Sequence, residues 1–218
     1  MTSGKNKISV NICLNGEYLE QVESFVYLGS VFTDDGSCTR DIQKRLAVGR
    51  SVMQSLSSVW KSKDISIAYK TQATEGIGLA SSVAYGCEGW TLLSKDHKYI
   101  TAYEMWCYRR LLRISWTKHK TNEWVMEHLG VKKELLGKVE STKMSFYGHV
   151  VRKHDSLEKE VTQTCTPGSR SSGRQRRRWT DDISEWSGMT IDAAGVAEDR
   201  AEWTEILRAA NPSYGGRH

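Results

Sequence analysis

The sequence has few of the features that mark membrane or secreted proteins. Charged residues interrupt its most apolar stretches well before the ~18 residues that a membrane span requires, and residues 1–11 are too polar for a signal peptide. Its five cysteines are odd in number and widely scattered, which indicates reduced thiols. Cys87 and Cys107 are best interpreted as small buried apolar residues. We therefore expect an intracellular protein, nuclear or cytoplasmic, without a membrane partner.

Motifs for metals, cofactors and covalent catalysis are also scarce. There is no Cys-x-x-Cys pair, and the nearest set of possible zinc ligands, His149, His154 and Cys165, is irregularly spaced and lacks a fourth member. Gly76-Ile77-Gly78 is too short for a phosphate-binding loop. Six histidines among many serines favour no particular catalytic triad. We therefore expect no bound cofactor.

One acidic string, Phe32-Thr33-Asp34-Asp35, resembles the turn with which reverse transcriptase-like polymerases hold two divalent metal ions. That chemistry also needs a carboxylate from an earlier strand, and the 31 preceding residues are too few for a polymerase palm. Gly36 and Ser37 follow where a metal-binding hairpin would continue into an apolar strand. Since Asp and Gly favour turns, the string predicts an ordinary turn.

Positive charge is present and is unevenly distributed. The formal net charge is only +5, but residues 132–178 contain 12 Lys and Arg against 5 Asp and Glu, whereas residues 179–218 contain 3 against 8. A basic stretch between a near-neutral body and an acidic tail is typical of a protein that binds a polyanion. A solvated charged face is the alternative.

The densest basic cluster, here called the arginine tract, runs from Arg170 through Arg174 to Arg176–Arg178 and is followed by Trp179. Arginine donates hydrogen bonds to phosphates in pairs and displaces counterions, and an adjacent indole can stack on a base. A nuclear-import signal or a solvated linker are the alternatives. Trp106 and Trp116, around three further arginines, form a second and weaker aromatic-basic set, in which a core role for tryptophan is more usual.

Hydrophobic periodicity predicts short extended segments followed by helices. Alternation in residues 8–14, then Asn15-Gly16 and residues 18–22, predicts a β-hairpin. A third extended piece covers residues 25–29, and a turn covers 34–37. Helical spacing predicts five helices. The first covers residues 39–63, and the second runs from a cap at Asp64 or Ser66 to about residue 84. The others run from an N-cap at Ser94 to Ile114, over 122–129 with Gly130 as C-cap, and over 132–152. The composition of residues 162–173 predicts a flexible linker. A helical tail is predicted over residues 180–186 and 190–207.

Five strings, taken in order, resemble the C-terminal part of reverse transcriptases from non-LTR (LINE-like) retrotransposons. They are Phe-Val-Tyr-Leu-Gly-Ser at 25–30 with the turn and basic helix after it, Tyr-Gly-Cys-Glu-Gly-Trp-Thr at 85–91, residues 104–116, Tyr-Gly-His-Val-Val-Arg at 147–152 and residues 173–182. The sequence departs from the family pattern at residues 74–78, where polar residues and glycine replace an apolar run.

The resemblance implies a primer grip, a thumb and a tail, with the catalytic carboxylates and their Mg²⁺ ions in a palm that this sequence does not include. It gives Asp34 and Asp35 no metal-binding role. We expect a mainly α fold with a β-hairpin, primer-grip-like segment at 1–37, a helical thumb-like bundle at 38–161, a basic linker at 162–178 and a small acidic helical tail at 179–218.

The function expected from these features is binding of an RNA or DNA template-primer, in company with the rest of a reverse transcriptase and without catalysis by this chain itself. The alternative is a protein-interaction or scaffold remnant without affinity for nucleic acid. The predicted nucleic-acid-binding residues are Arg109, Arg110, Arg113, Lys143, Arg152, Lys153, Arg170, Arg174, Arg176, Arg177, Arg178 and Trp179.

Overall fold

The structure is a computed structural model that describes residues 11–76, 83–132, 134–154, 156–163, 176–189 and 191–211. Its described residues form a mainly α fold that begins with two short β-hairpins, so the predicted fold class is confirmed. The strands are β1 (Cys13–Leu14), β2 (Glu17–Tyr18), β3 (Ser24–Tyr27) and β4 (Ser30–Thr33). The helices are α1 (Thr39–Ser55), α2 (Ser57–Lys61), α3 (Ile67–Ala73), α4 (Ser94–Leu111), α5 (Asn122–Leu129), α6 (Leu135–Val151), α7 (Leu157–Gln163), α8 (Trp179–Ser187) and α9 (Arg200–Ala210).

The predicted hairpin at Asn15-Gly16 is present but short. Both turn residues have positive φ, 53° and 88°, which is the conformation that a two-residue turn between antiparallel strands requires. A second hairpin joins β3 to β4 through Leu28 (φ 47°) and Gly29 (φ 84°), with Phe25 opposite Phe32. Strand β4 was not predicted, because a leucine at positive φ is not a recognisable turn signal.

The helix predicted over residues 39–63 is interrupted at Leu56, where α1 ends and α2 begins one residue later. The indole Nε1 of Trp60 donates a hydrogen bond to the carbonyl of Met53 at 2.8 Å, which fixes α2 against the end of α1. The predicted apolar face is nevertheless correct, since Ile42, Leu46, Met53 and Trp60 are all buried.

The other helix boundaries follow the predicted caps in part. The Ser66 hydroxyl accepts a hydrogen bond from the Tyr69 amide and caps α3. Residues 74–76 continue α3 as a turn of π-helix, and residues 77–82 of the predicted helix lie outside the described part of the chain. The N-cap of α4 is Leu93 instead of Ser94, and the Asp96 carboxylate there accepts the Leu93 amide at 3.1 Å. Helix α5 ends at Gly130 (φ 67°), as predicted.

Two hydrophobic clusters form the core, and α6 contributes to both. The larger cluster joins α1, α2, α4, α5 and the first half of α6. It includes Cys87 and Cys107, which are 0% exposed, and burial raises the pKa of each thiol to about 12. Both cysteines are therefore buried apolar residues, as predicted.

The smaller cluster packs the tail helices α8 and α9 against the second half of α6. Trp203 of α9 lies so close to Gly148 that a Cβ atom there would approach its indole to 2.5 Å. The indole Nε1 of Trp203 also donates to the Met144 carbonyl at 3.0 Å. Glycine at position 148 is therefore needed for the close approach of α9 to α6.

Residues 164–175, which include most of the predicted linker, lie outside the described part of the chain. Among the helices that are described, none is both long and apolar enough to cross a lipid bilayer.

Candidate nucleic-acid interface

The described end of the arginine tract, Arg176–Arg178, is largely engaged with the protein itself. The Arg177 guanidinium forms ion pairs with Asp182 and Glu185 of α8. Although burial opposes it, hydrogen bonding to these two carboxylates raises the pKa of Arg177. Arg176 donates from Nη1 to the carbonyl of Asp35 at 2.6 Å. Arg176 and Arg178 are exposed, and within the described residues the Arg178 guanidinium has no hydrogen bond or ion pair. Arg170 and Arg174 lie outside the described residues.

Lys143 is not available to a phosphate, and this prediction is corrected. Its side chain is fully buried, its ammonium is paired with Asp182, and it donates to the Trp90 carbonyl at 2.7 Å. Burial lowers the pKa of Lys143, and the bond with Asp182 opposes that shift. The amide of Leu92 donates to the same Asp182 oxygen at 3.0 Å. We call Lys143, Asp182 and Arg177 the tail latch, because they join α6 to α8.

Trp179 packs beside the tail latch. Its indole Nε1 donates to the Glu88 carbonyl at 2.7 Å, and its ring centroid lies 4.9 Å from the Lys143 ammonium and 6.1 Å from that of Tyr147. The side chain is half-buried, and stacking of a base on this indole stays a prediction. Trp90, Tyr147, Trp179 and Asp182, which belong to three of the strings that carry the family resemblance, lie around this buried lysine.

Two further predicted residues at the end of α6 have partners within the chain. Arg152 is half-buried and donates from Nη1 to the Ala197 carbonyl at 2.9 Å. Lys153 forms an exposed ion pair with Glu158 at 3.0 Å. Exposed pairs of this kind contribute little to stability, so Lys153 can exchange its partner for a phosphate at small cost, whereas Arg152 helps to hold the tail.

The remaining predicted arginines, Arg109, Arg110 and Arg113, lie together in a groove of about 930 Å³. Helix α2, the C-terminal end of α4 and the loop before α5 form its walls. We call this surface the basic groove; its basic residues are Lys61, Arg109, Arg110, Arg113, His119 and Lys120. No carboxylate lines the groove in the part of the chain that the structure describes. Such a surface attracts polyanions, because the described residues that line it carry positive charge and include no carboxylate.

Arg109 holds one wall of the basic groove in place. Its Nη1 donates to the Asn122 side chain at 2.8 Å, and its Nη2 donates to the Lys120 carbonyl at 2.7 Å. These bonds fix the loop between α4 and α5 against the end of α4. Lys120 itself is directed over the ring of Trp124, at 4.6 Å from the centroid. Arg109 is therefore mainly a positioning residue.

Arg113 occupies a strained backbone position at the rim of the groove. It is the first residue beyond the C-cap of α4, its φ is 55°, and its amide donates to the Arg110 carbonyl at 3.1 Å. The amide of Ile114 donates to the Arg109 carbonyl at 3.0 Å, which completes a Schellman motif. Glycine is usual at this position. An exposed arginine there is costly for the backbone, and such strain is often retained at functional sites.

Arg110 lies between the groove and the core. Its Nε is buried and has no hydrogen-bond partner among the described residues, and its guanidinium carbon is 5.5 Å from the centroid of the Trp106 ring. Trp106 is half-buried and is stacked on Tyr103 on the core side, with ring centroids 6.1 Å apart. A planar cation and an indole therefore share one wall of the groove. The side chain of Trp116 lies outside the described part.

Asp34 and Asp35 lie in the predicted turn after β4. The Asp35 carboxylate accepts hydrogen bonds from the Thr33 hydroxyl at 2.5 Å and the Ser37 amide at 2.9 Å, and these bonds lower its pKa. Within the described residues, no group of three or more His, Cys, Asp or Glu side chains could hold a metal ion. The Asp35 carboxylate is therefore engaged by the turn itself.

Sequence reasoning missed Lys61, His119 and Lys120, which complete the basic groove. A weak signal was available, because Lys61 directly follows Trp60 and the other two follow Trp116 at short distance. What the sequence could not show is that, after the break at Leu56, α2 lines the same groove as the end of α4. That arrangement turns separate basic strings into one surface.

No protein-family model, curated protein or solved structure matches this chain.

Proposed function

We propose that this chain binds RNA or DNA through sequence-independent contacts between its basic groove and the phosphate backbone. The observation that supports this proposal most strongly is that six basic side chains line one concave surface. The described residues that line it include no carboxylate. Nucleic acids are the polyanions that such a surface suits, because each bound phosphate releases counterions into solution. Lys61 and Arg113 are exposed and Arg110 is half-buried, so these three supply the main contacts.

The resemblance to non-LTR retrotransposon reverse transcriptases supports the same proposal. In that reading the chain is a C-terminal, non-catalytic part that holds a template-primer while another polypeptide supplies the palm and its Mg²⁺ ions. Residues 104–116, one of the strings that carry the resemblance, include the three arginines that line the groove and Trp106, one of its two tryptophans.

Binding of labelled oligonucleotides at different salt concentrations tests this proposal. The variant with Lys61, Arg110 and Arg113 changed to Gln should bind much more weakly at ~50 mM salt. The slope of log affinity against log salt should fall by about 2 for three lost contacts. A control with Lys95, Lys132 and Lys138 changed to Gln removes the same charge from exposed positions outside the groove. Undetectable binding by the wild type, or equal losses in both variants, would refute the proposal.

A protein-interaction function is the second candidate, and the two N-terminal hairpins favour it. Large apolar side chains are exposed there, including Tyr18 at 77% and Leu28 at 73%. The rings of Phe25 and Tyr27 stack at 6.4 Å on this open surface. Exposed apolar patches of this kind mark contact with other proteins. If the chain binds a protein partner and not nucleic acid, Phe25→Ser and Tyr27→Ser will abolish association with that partner. The groove variants will then leave the association unchanged.

A further inference from the structure

A second concavity of about 550 Å³ lies beside the basic groove along α4. Residues His97, Lys98, Thr101 and Met105, along the preceding turns of α4, line the second concavity. Trp106 and Arg109 line both spaces. The two concavities are therefore adjacent, with Trp106 and Arg109 at their boundary, and we call the two together the track.

The second concavity has the same electrostatic character as the groove. Lys98 is exposed, His97 is half-buried, and no carboxylate lines this space within the described residues. Basic side chains thus lie on both sides of Trp106. A chain of phosphates passing along the track would meet cations before and after the indole.

The dimensions and the lining of the track suit one strand better than two. Concavities of several hundred Å³ are of the size that enclose small ligands, and the bases of a duplex are paired and unavailable for stacking on a side chain. Proteins that bind single strands combine a basic groove with aromatic residues on which unpaired bases stack. Trp106 and the guanidinium of Arg110 near its ring are two planar groups of the kind on which bases stack.

We propose that the track binds a single-stranded segment of RNA or DNA, with one unpaired base stacked at Trp106 and Arg110 and the flanking phosphates on Lys98 and Arg113. This inference rests on the proposed function and narrows its ligand. Trp106 is then a binding residue, whereas Arg109 positions the wall between the two concavities.

The test compares three labelled probes of about 12 nucleotides: a single strand, the same sequence as a duplex, and a strand of equal length without bases. Fluorescence anisotropy at low salt measures affinity. The single strand should bind about tenfold tighter than either of the other probes, because only it offers both phosphates and unpaired bases. Binding of the duplex as tight as that of the single strand overturns this inference and leaves the proposed function standing. If none of the probes binds, the proposed function fails.

Two variants and one control locate the stacking site. Trp106→Leu should weaken single-strand binding about tenfold without changing duplex binding. Trp124→Leu is the matched control, because Trp124 is also half-buried and also lies beneath a cation, the ammonium of Lys120, but it lines neither concavity. Arg110→Lys keeps the charge and removes the planar group, so it tests stacking even if Trp106→Leu fails to fold. Equal effects of Arg110→Lys on the single strand and on the strand without bases would overturn the stacking inference.

Discussion

The basic groove and the arginine tract both combine arginines with tryptophan, but they differ in what surrounds the guanidinium groups. In the described part of the tract, Arg177 is paired with two carboxylates and Trp179 is anchored to a backbone carbonyl. In the groove, Arg110 and Arg113 line a surface on which no carboxylate is described. The same residue types therefore stabilise the fold in one region and present charge to solvent in the other.

This difference teaches that the density of arginine in a sequence does not by itself identify a binding surface. Whether an arginine is available for binding depends on the acidic residues near it. For the arginine tract, these acidic residues lie in α8, directly after the tract. The field of an arginine paired with Asp182 is largely cancelled before it reaches solvent. Four changes test these differences. Three of them concern the contacts that hold the tail helices on α6, and the fourth tests whether the positive φ of Arg113 in the groove lowers the stability of the protein.

Asp182→Ala should have the largest effect, because it leaves the buried ammonium of Lys143 without its partner. We expect a loss of about 3–5 kcal/mol in the free energy of unfolding, measured by urea denaturation. Asp181→Ala is the control, since this neighbour only accepts the Arg178 amide at the start of α8. It should cost about 1 kcal/mol. Similar losses for the two variants would contradict a structural role of the tail latch.

Gly148→Ala should be the next most damaging change, because its Cβ would collide with the Trp203 indole. The expected loss is roughly 1–3 kcal/mol in the free energy of unfolding. Gly137→Ala lies in the same helix, and its Cβ would displace the amide end of Asn211, which then loses its hydrogen bond to the Gly137 carbonyl. That control should cost about 1 kcal/mol at most, because one partly buried hydrogen bond is lost and no ring is displaced. If both variants behave alike, the close packing of α9 on α6 is not required.

Glu140→Gln should stabilise the protein in a pH-dependent manner. Burial, Asp182 and Glu185 raise the pKa of Glu140 to about 7. The folded state then holds a proton between about pH 4.5 and 7 that the unfolded state releases, so the native carboxylate costs stability as the pH rises through this window. Allowing for solvent screening, we expect a gain of roughly 1 kcal/mol at pH 8 and almost none at pH 4. The exposed Glu205→Gln should show no such pH dependence.

Arg113→Gly should have the smallest effect on stability and the opposite effect on binding. Glycine relieves the positive φ at the end of α4, for an expected gain of roughly 0.5 kcal/mol after the entropy of the unfolded chain is included. Thermal unfolding measures that gain, and the same preparation should bind the single strand more weakly. A stabilised variant with unchanged affinity would show that the strain at Arg113 has no connection with binding.

Much of the fold could be predicted from the sequence, because local signals carry it. Asn15-Gly16, the Ser66 cap and Gly130 each specify their structure within a few residues, and the apolar face of α1 follows from its spacing. The break at Leu56 and the hairpin at Leu28-Gly29 could not be predicted, since long-range packing and an unusual φ determine them. The arginines of α4 that line the groove were already named from the sequence as predicted nucleic-acid-binding residues. The partners of Lys143 and Trp179 lie 39 and 91 residues away in the chain, and no local pattern indicates them.

The most direct test compares two variants that remove equal charge, one from each basic region. Arg110 and Arg113 are changed to Gln in the first, and Arg176 and Arg178 in the second, which leaves the tail latch intact. We predict that the first variant binds the labelled single strand at least about tenfold more weakly than the wild type, with a reduced dependence on salt, and that the second changes affinity only about twofold. A larger loss in the second variant than in the first would contradict the assignment of the binding surface to the basic groove.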